Sequence, residues 1–384
     1  MPKVLSDRLV SWASILDPQT ERQARVTSEL PIIEGHVALM PDAHLGIGAT
    51  IGSVIPTRSA VIPSAVGVDI GCGMAARRLD LRAEHLPSGR LTAWVHSMRG
   101  AVPAGLGHWH QRPREDAREW FEANPPPPTL DMVEQAMAQL GTLGSGNHFI
   151  ELAADADGWV WILLHSGSRG GGNKLATMHM KVARRVCAYP LPDKDLAWLE
   201  QGTPEFEAYL RDLRWSQRYA RRNRELMLLA THAALAGVLG RDLAPTFEVN
   251  CHHNYTELEE HGGRRLWVTR KGAIRAGVGD WGLIPGAMGQ RSFVVHGLGN
   301  PEAYESCAHG AGRAMSRHRA RKTLSIEDFE SVMGDAAWQR ESARQLLDEH
   351  PSAYKPLEVV MRDQADLVEV VHELRAIANY KGTS

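Results

Sequence analysis

The sequence lacks most features that name a function directly. It holds four cysteines in 384 residues (Cys72, Cys187, Cys251 and Cys307), far apart and without a CxxC pair. That excludes a dense disulfide framework and a paired-cysteine zinc knuckle, and it points to a reducing compartment. No run of 18 apolar residues occurs, so no membrane span is expected. Met1 to Asp17 lacks the continuous apolar stretch of a signal peptide, and a cytoplasmic protein is expected. The formal net charge is only −2, so any nucleic-acid surface must be a local patch. There is no GxxxxGK[ST] motif, which excludes a Walker-type NTPase. Internal repeats and low-complexity tails are absent. What remains is an ordinary globular composition, 43% hydrophobic and 23% charged, in a chain long enough for a large core.

Hydrophobic periodicity divides the chain into short strands and long helical stretches. Leu5, Leu9, Trp12 and Leu16 share one helical face, predicting a short amphipathic helix over residues 4 to 16. Ile32-Ile33, Val37 to Met40, Ile51 to Ile55 and Val61 to Val68 read as strands, and Met74 to Leu81 continues the sheet. Helices are expected over Leu91 to Met98, Arg114 to Ala123 and Asp131 to Leu140, the last following the stiff run Pro125 to Pro128. Phe149 to Leu152 and Trp159 to Leu164 form a hairpin through Asp155-Ala156-Asp157-Gly158. Lys174 to Cys187 is helical, and the Arg-rich Glu205 to Leu239 reads as two helices. Strand character returns at Phe247 to Asn250, Leu266 to Val268 and Phe293 to Val295. A helix is expected from Ala314 and a long amphipathic one over Leu357 to Ile377. The pattern is α+β: one large unit over residues 1–384, with mixed sheets around a central cleft and helical excursions at about 86–141 and 190–240.

The 18 histidines cluster in short polar motifs, the first hint of metal or acid–base chemistry. In Val66-Gly67-Val68-Asp69-Ile70-Gly71-Cys72-Gly73 a carboxylate and a thiol stand three residues apart among three glycines. Alone, that stretch reads most simply as a tight turn with Cys72 a small core residue. Three more segments, Gly144 to Glu151, His165 to Gly172 and Asn250 to Asn254, each place a histidine at a strand end beside Gly or Asn. His148, His165 and His253 can converge on Asp69 and Cys72. Five such donors exceed one tetrahedral site and suit two ions about 3.5–4 Å apart, bridged by the thiolate. Hydrogen-bonded core or surface histidines explain the same spacing equally well. His309-Gly310-Ala311-Gly312-Arg313 precedes a helix whose N-terminus favours an anion, and histidine can accept a phosphoryl or nucleotidyl group. A capping turn is the commoner meaning of so short a motif. Two arginine runs, Arg211 to Arg224 and Arg313 to Lys322, are spaced to contact a phosphate backbone, although solvated helix faces are the usual meaning of such runs.

Eight segments in this order, MPDAHLGIG, VGVDIGCGM, GSGNHFIEL, HSGSRG, NCHHNY, IPGAMGQRSFVV, GLGNP and HGAGRAMSR, resemble the RtcB family of GTP-dependent RNA ligases. The likeness runs from Pro31 to Lys381. It implies two manganese ions held by Asp69, Cys72, His148, His165 and His253, the thiolate bridging. It implies a histidine nucleophile at His309, guanylylated by GTP and oriented by Asp42. Guanine-nucleotide contacts carry over to Asn147, His148, Phe149, Ile150, Glu151, His253, Asn254, Pro285, Gly286, Ala287, Met288, Ser292, His309, Gly310, Ala311, Gly312 and Lys381. The implied reaction joins an RNA 3′-phosphate or 2′,3′-cyclic phosphate to a 5′-hydroxyl, in tRNA splicing or RNA repair, by a monomer. The family's usual serine in IPGSMG is Ala287 here, a lost hydroxyl worth about 1 kcal/mol of nucleotide affinity. The competing readings are a two-metal phosphoesterase and a catalytically weakened paralogue that binds RNA ends. Neither needs both His309 and Lys381.

Overall fold

In the computed structural model, which describes residues 2–383, the chain opens with two short strands, β1 (Lys3–Ser6) and β2 (Leu9–Ser11). The helix expected over residues 4 to 16 does not form. Leu9, Val10 and Ser11 instead pair in parallel with Val37, Ala38 and Leu39, so a tertiary partner overrides a local period. Helix α1 (Pro18–Ser28) follows, with Asp17 accepting from the main-chain N–H groups of Gln19 and Thr20. Next come β3 (Val37–His44), β4 (Ile51–Thr57), β5 (Ala60–Val61) and the single turn α2 (Pro63–Val66). The strand expected over Val61 to Val68 therefore stops at once. Pro63 has no N–H for a ladder and is pre-set for a helix start.

β6 (Gly73–Arg82) leads to three helices, α3 (Ser88–Ala101), α4 (Glu115–Ala123) and α5 (Val133–Gln139). The expected hairpin is present as β7 (Phe149–Asp155) and β8 (Trp159–Ser166), closed by Asp155 accepting from the N–H of Trp159. Then come α6 (Arg169–Val186), β9 (Leu199–Glu200) and α7 (Pro204–Leu239). α7 is one helix of 36 residues where two were expected. Nothing between its Thr203 cap and the left-handed Gly240 breaks it.

The rest comprises β10 (Pro245–His252), β11 (Asn254–His261), β12 (Arg264–Lys271), β13 (Ala273–Arg275), β14 (Trp281–Pro285), β15 (Arg291–Gly297) and β16 (Ser306–Ala308). After them come α8 (Arg317–Thr323), α9 (Ile326–Met333), α10 (Ala343–Leu346), α11 (Leu357–Asp363) and β17 (Val368–Lys381). The long C-terminal helix is thus a seven-residue helix followed by a 14-residue strand. Irregular pairing at Val294/Val295 and at Ala376/Ala378 breaks the alternation of β17, leaving buried positions that mimic a helical period. The helix expected from Ala314 starts at Arg317, so His309 does not sit at a helix N-terminus.

Two sheets carry the architecture: β1-β2-β3-β4-β12-β11 and β10-β6-β8-β7-β17-β15-β14. The second curls until its edge strands meet, Phe247 of β10 lying edge-on to Trp281 of β14 at 4.6 Å. Met74, Phe149, Trp161, Leu163 and Leu374 fill the curl. α3 and α7 cover one outer flank through Trp94, Met98, Met227 and Leu235, and the six-stranded sheet covers the other through Met40, Val54 and Val268. α4 and α5 lie over α7, with Phe121 and Tyr219 packing around Trp215. Among the described residues no helix is long and apolar enough to cross a membrane.

Leu374 is fully buried inside the curl, whereas Glu369 of the same strand is exposed. Leu374→Ala should cost about 2–5 kcal/mol in urea denaturation. Glu369→Ala should stay within about 0.5 kcal/mol.

Candidate metal and nucleotide site

The ends of four strands bring the sequence motifs together. Gly73 of β6 lies opposite both Ser166 of β8 and His252 of β10, and Phe149 of β7 lies opposite His165. Cys72, His148, His165 and His253 therefore meet at one open end of the curled sheet. The glycines of the Asp69–Gly73 loop serve close approach. A Cβ on Gly71 would stand 2.9 Å from the Gln217 Cα of α7, and one on Gly73 only 2.1 Å from the Cys251 carbonyl oxygen. Arg224 of α7 is fully buried and holds this loop from behind. It donates to the carbonyls of Gly71 (2.9 Å) and Ser166 (3.0 Å) and to Asn250 Oδ1 (2.7 Å).

Cys72 Sγ lies 3.4 Å from His148 Nε2 and 3.3 Å from His165 Nε2. Asp69 Oδ2 is 3.0 Å from His148 Nε2, and the Nε2 atoms of His165 and His253 are 2.8 Å apart. Two donor triads result, Cys72/His165/His253 and Asp69/Cys72/His148, sharing the sulfur. Each imidazole turns its Nδ1 to an oxygen: His148 to the Leu143 carbonyl, His165 to the Asn147 carbonyl and His253 to Asn254 Oδ1. Because those oxygens accept, each Nδ1 carries a proton, and the Nε2 lone pairs of His165 and His253 face one another. Two lone pairs at 2.8 Å cannot hydrogen-bond; a cation between the donors removes the conflict. Burial, reinforced by neighbouring cations, pushes His165 and His253 far below the usual imidazole range and keeps them neutral. Burial opposes ionisation of Asp69, but contacts with His148 and Cys72 outweigh it and hold the carboxyl down to about 2. Burial and the Asp69 charge push the Cys72 thiol up, so its thiolate needs a cation beside it.

His309 stands next to this cluster, its ring 4.7 Å from that of His253. Asp42, fully buried on the face of β3 that carries Ala38 and Met40, approaches His309 Nδ1 at 2.6 Å and accepts from the His309 main-chain N–H at 3.1 Å. The Nδ1 contact is bent off the hydrogen-bond line, so it acts as a charge contact. Nε2 is the nitrogen left for chemistry. Gly312, at φ +72°, lets its segment lie against the Asp42 carbonyl, where a Cβ would come to 2.2 Å. Lys355 fixes the other side of Asp42 by donating to the carbonyls of Pro41 (2.9 Å) and Ala43 (2.6 Å).

Two cavities flank His309 and share His44, Ile51 and Asn147. One of about 360 Å³ is lined by Asn147, Phe149, Glu151, Pro285 through Met288, His309 through Gly312, and Lys381. The other, about 230 Å³, reaches Asp69, His253 and Asn254. Alternation along β7 turns Ile150 into the core beneath α3 and α7, away from the cavity. Ser292 is buried in β15 and lines neither cavity. His148 faces the metal donors only.

The larger cavity also exposes groups that the sequence reading passed over. Glu349 binds Arg313 and Arg317 at 2.7 Å each, Lys381 at 3.2 Å and the Tyr354 hydroxyl at 2.8 Å. Asn379 donates to Glu151 Oε2 at 3.1 Å, leaving Glu151 Oε1 and Asn379 Oδ1 buried without partners. Burial outweighs the neighbouring Asn379 and Lys381 and pushes Glu151 up to about 8. Lys271, which burial pushes down to about 7, lines the smaller cavity and donates to the Ser64 carbonyl at 2.9 Å. Arg169, at φ +58°, presses its guanidinium against Gly144. A non-glycine residue held in that region signals constraint next to the donors.

Comparison with known proteins follows the same outline. The family profile described as tRNA-splicing ligase RtcB matches residues 23–127 and 115–382. A protein of Escherichia coli K12 named RNA-splicing ligase RtcB is 42% identical over 397 residues, covering 96% of this chain and 95% of its own. The Mycobacterium tuberculosis RNA-splicing ligase RtcB is 31% identical, covering 89% and 96%. The tRNA-splicing ligase RtcB of Nanoarchaeum equitans is 29% identical, covering 98% and 94%.

The buried histidines set a pH dependence. Burial pushes His44 down to about 4 and His252 to about 3, and His165 and His253 lie well below their usual range. Below about pH 6.5 the unfolded chain binds protons that the folded chain refuses, so stability falls as pH falls. Glu151 offsets one of these protons, because its folded carboxyl stays protonated to about 8. The metal-free protein should lose about 1.4 kcal/mol per pH unit for each uncompensated histidine between neutrality and about pH 5. Urea titrations across that range should show the decline, and His252→Asn should flatten it.

Proposed function

The chain belongs to the RtcB family of tRNA-splicing ligases, and on that premise we propose that it is a GTP- and manganese-dependent RNA ligase working through a guanylylated His309. The observation that carries this reading is the position of His309. Its Nδ1 is held against the buried Asp42, and its ring lies between a nucleotide-sized cavity and the thiolate–imidazole donors.

The chemistry assigned to these residues is stepwise. His309 Nε2 attacks the α-phosphorus of GTP; a P–N bond forms as the bond to the β-phosphate oxygen breaks and pyrophosphate leaves. Asp42 offsets the positive charge the imidazole gains, as a carboxylate does behind a catalytic histidine. The guanylate then passes to an RNA 3′-phosphate, releasing His309. The 5′-hydroxyl of a second end attacks the 3′-phosphorus, forming the phosphodiester and expelling GMP. A 2′,3′-cyclic phosphate is first opened to the 3′-phosphate. Asp69, Cys72, His148, His165 and His253 would hold the manganese ions, which when bound would supply positive charge to the reacting phosphate oxygens.

Guanine suits the far end of the cavity. The unpartnered Glu151 Oε1 and Asn379 Oδ1 line this cavity and would accept from its N1–H and N2–H, donors that would draw the Glu151 carboxyl, raised to about 8 by burial, back to its ionised form. Adenine lacks both. Ala287 lines this cavity with a methyl group, and its N–H is already held by Gln290 Oε1. A phosphoesterase acting on the same donors would use the Asp42–His309 pair for proton transfer and would take no covalent label from GTP.

Incubation with Mn²⁺ and α-labelled GTP should place acid-labile label on the wild-type protein and none on His309→Ala. An unlabelled wild type, or equal label on the variant, overturns the ligase reading. Cys72→Ala, which removes the donor common to both triads, should abolish high-affinity Mn²⁺ uptake in a calorimetric titration; unchanged affinity refutes the bridge.

A further inference from the structure

We infer that the exposed face of α7 bearing Arg211, Arg214, Arg218, Arg221 and Arg222 is a track for the phosphate backbone of an RNA strand entering the site, an assignment that rests on the RNA-ligase reading. Because α7 runs unbroken for 36 residues, these arginines, spaced by three, four, three and one residues, fall on one side of a single rigid rod. At 1.5 Å per residue the stripe is about 16 Å long. The opposite face of the rod carries the metal loop. Gln217 and Ala220 receive Gly71, and Arg224 and Asn223 hold the main chain at Gly71, Ser166 and Gly141. The stripe therefore lies about one helix width, roughly 10 Å, from the Asp69–Cys72 loop.

The sixth arginine of the run, Arg224, is buried and structural; the other five face solvent wholly or in part. A solvated helix face normally alternates charge at three- and four-residue spacing. Here each of the five has another arginine three or four residues away, and they repel; acidic residues at that spacing, Glu207 and Glu225, stand only at the two ends of the run. Their acidic partners are few. Glu225 serves Arg221 and Arg222 at 3.3 and 3.4 Å, and Arg211 leans on the buried Asp212 at 2.9 Å. Among the described residues Arg214 and Arg218 make no ion pair, although Arg214 acts at longer range on Glu257 of β11. In a chain of net charge −2, this is a concentrated cationic surface beside the chemistry. A polyanion relieves its repulsion, and an RNA strand supplies phosphates in series.

The test uses the full chain and a short fluorescent single-stranded oligoribonucleotide ending in a 3′-phosphate, with anisotropy read across a salt series. Arg214→Gln/Arg218→Gln/Arg221→Gln should weaken binding at least several-fold and lower the slope of log K against log salt by about 2, some 0.7 for each lost contact. The single change Arg218→Gln should lower it by about 0.7, a reading that survives if the triple variant folds poorly. Label transfer from GTP to His309 should be unchanged in both. The exposed pair Arg58→Gln/Arg265→Gln, the first just after β4 and the second on β12, should leave the slope alone. An unchanged slope in the α7 variants, or an equal fall in the Arg58/Arg265 control, overturns the track. Failure of the wild type to take GTP label while the slopes behave as stated would instead strike the ligase reading and leave the track standing.

Discussion

Two imidazole lone pairs aimed at each other across 2.8 Å, inside a buried pocket, are the constraint around which the molecule is arranged. Left to itself such a contact drifts apart or picks up a proton. Here neither happens, because His165 and His253 are each pinned through Nδ1 to an oxygen, and burial denies both a charge. Holding that geometry takes four strand ends in fixed register. It also takes a buried arginine that ties Gly71 to Ser166, so that the loop bearing Asp69 and Cys72 cannot move relative to the strand bearing His165. The preorganisation is invested in the scaffold and removed from the moment of binding.

The second half of the site is built across the seam between sheets. Asp42 comes from the six-stranded sheet, His309 from the segment after β16, and Glu151, Asn379 and Lys381 from the curled sheet. No single element contains two of the three kinds of group that the proposed reaction needs: nucleophile, base-recognition groups and metal donors.

The sequence made the donors legible because each lies in a short motif of unusual composition at a strand end. Asp69, Cys72, His148, His165 and His253 do meet, and the β7–β8 hairpin that aligns two of them was plain from its turn. Elements failed where two periods coincide or where a distant partner decides. Residues 4 to 16 and 368 to 377 carry helix-like spacing, yet sheet neighbours far away in the chain make both into strands. Glu349, Tyr354, Asn379 and Lys271 left no local trace, since each is defined by what folds against it, whereas Arg169 stood in the HSGSRG motif with no role assigned to it. The arginine runs looked alike in sequence and separate in space. One holds the Asp69–Gly73 loop through Arg224 and turns its other arginines outward, whereas Arg313 and Arg317 of the other are consumed by Glu349.

β17 lies between β7 and β15 and ends at Lys381, on the wall of the larger cavity beside His309. Its partner strand begins at Phe149, so the pairing spans more than half of the chain. During synthesis on the ribosome, the curled sheet stays split and the cavity stays without its cation until residue 381 has cleared the exit tunnel. A nascent or prematurely terminated chain carries Asp69, Cys72, His148, His165 and His253 once residue 253 is made, but lacks the strand that completes the cavity beside His309. The order of translation thus separates the synthesis of the donor residues from the completion of the cavity in time.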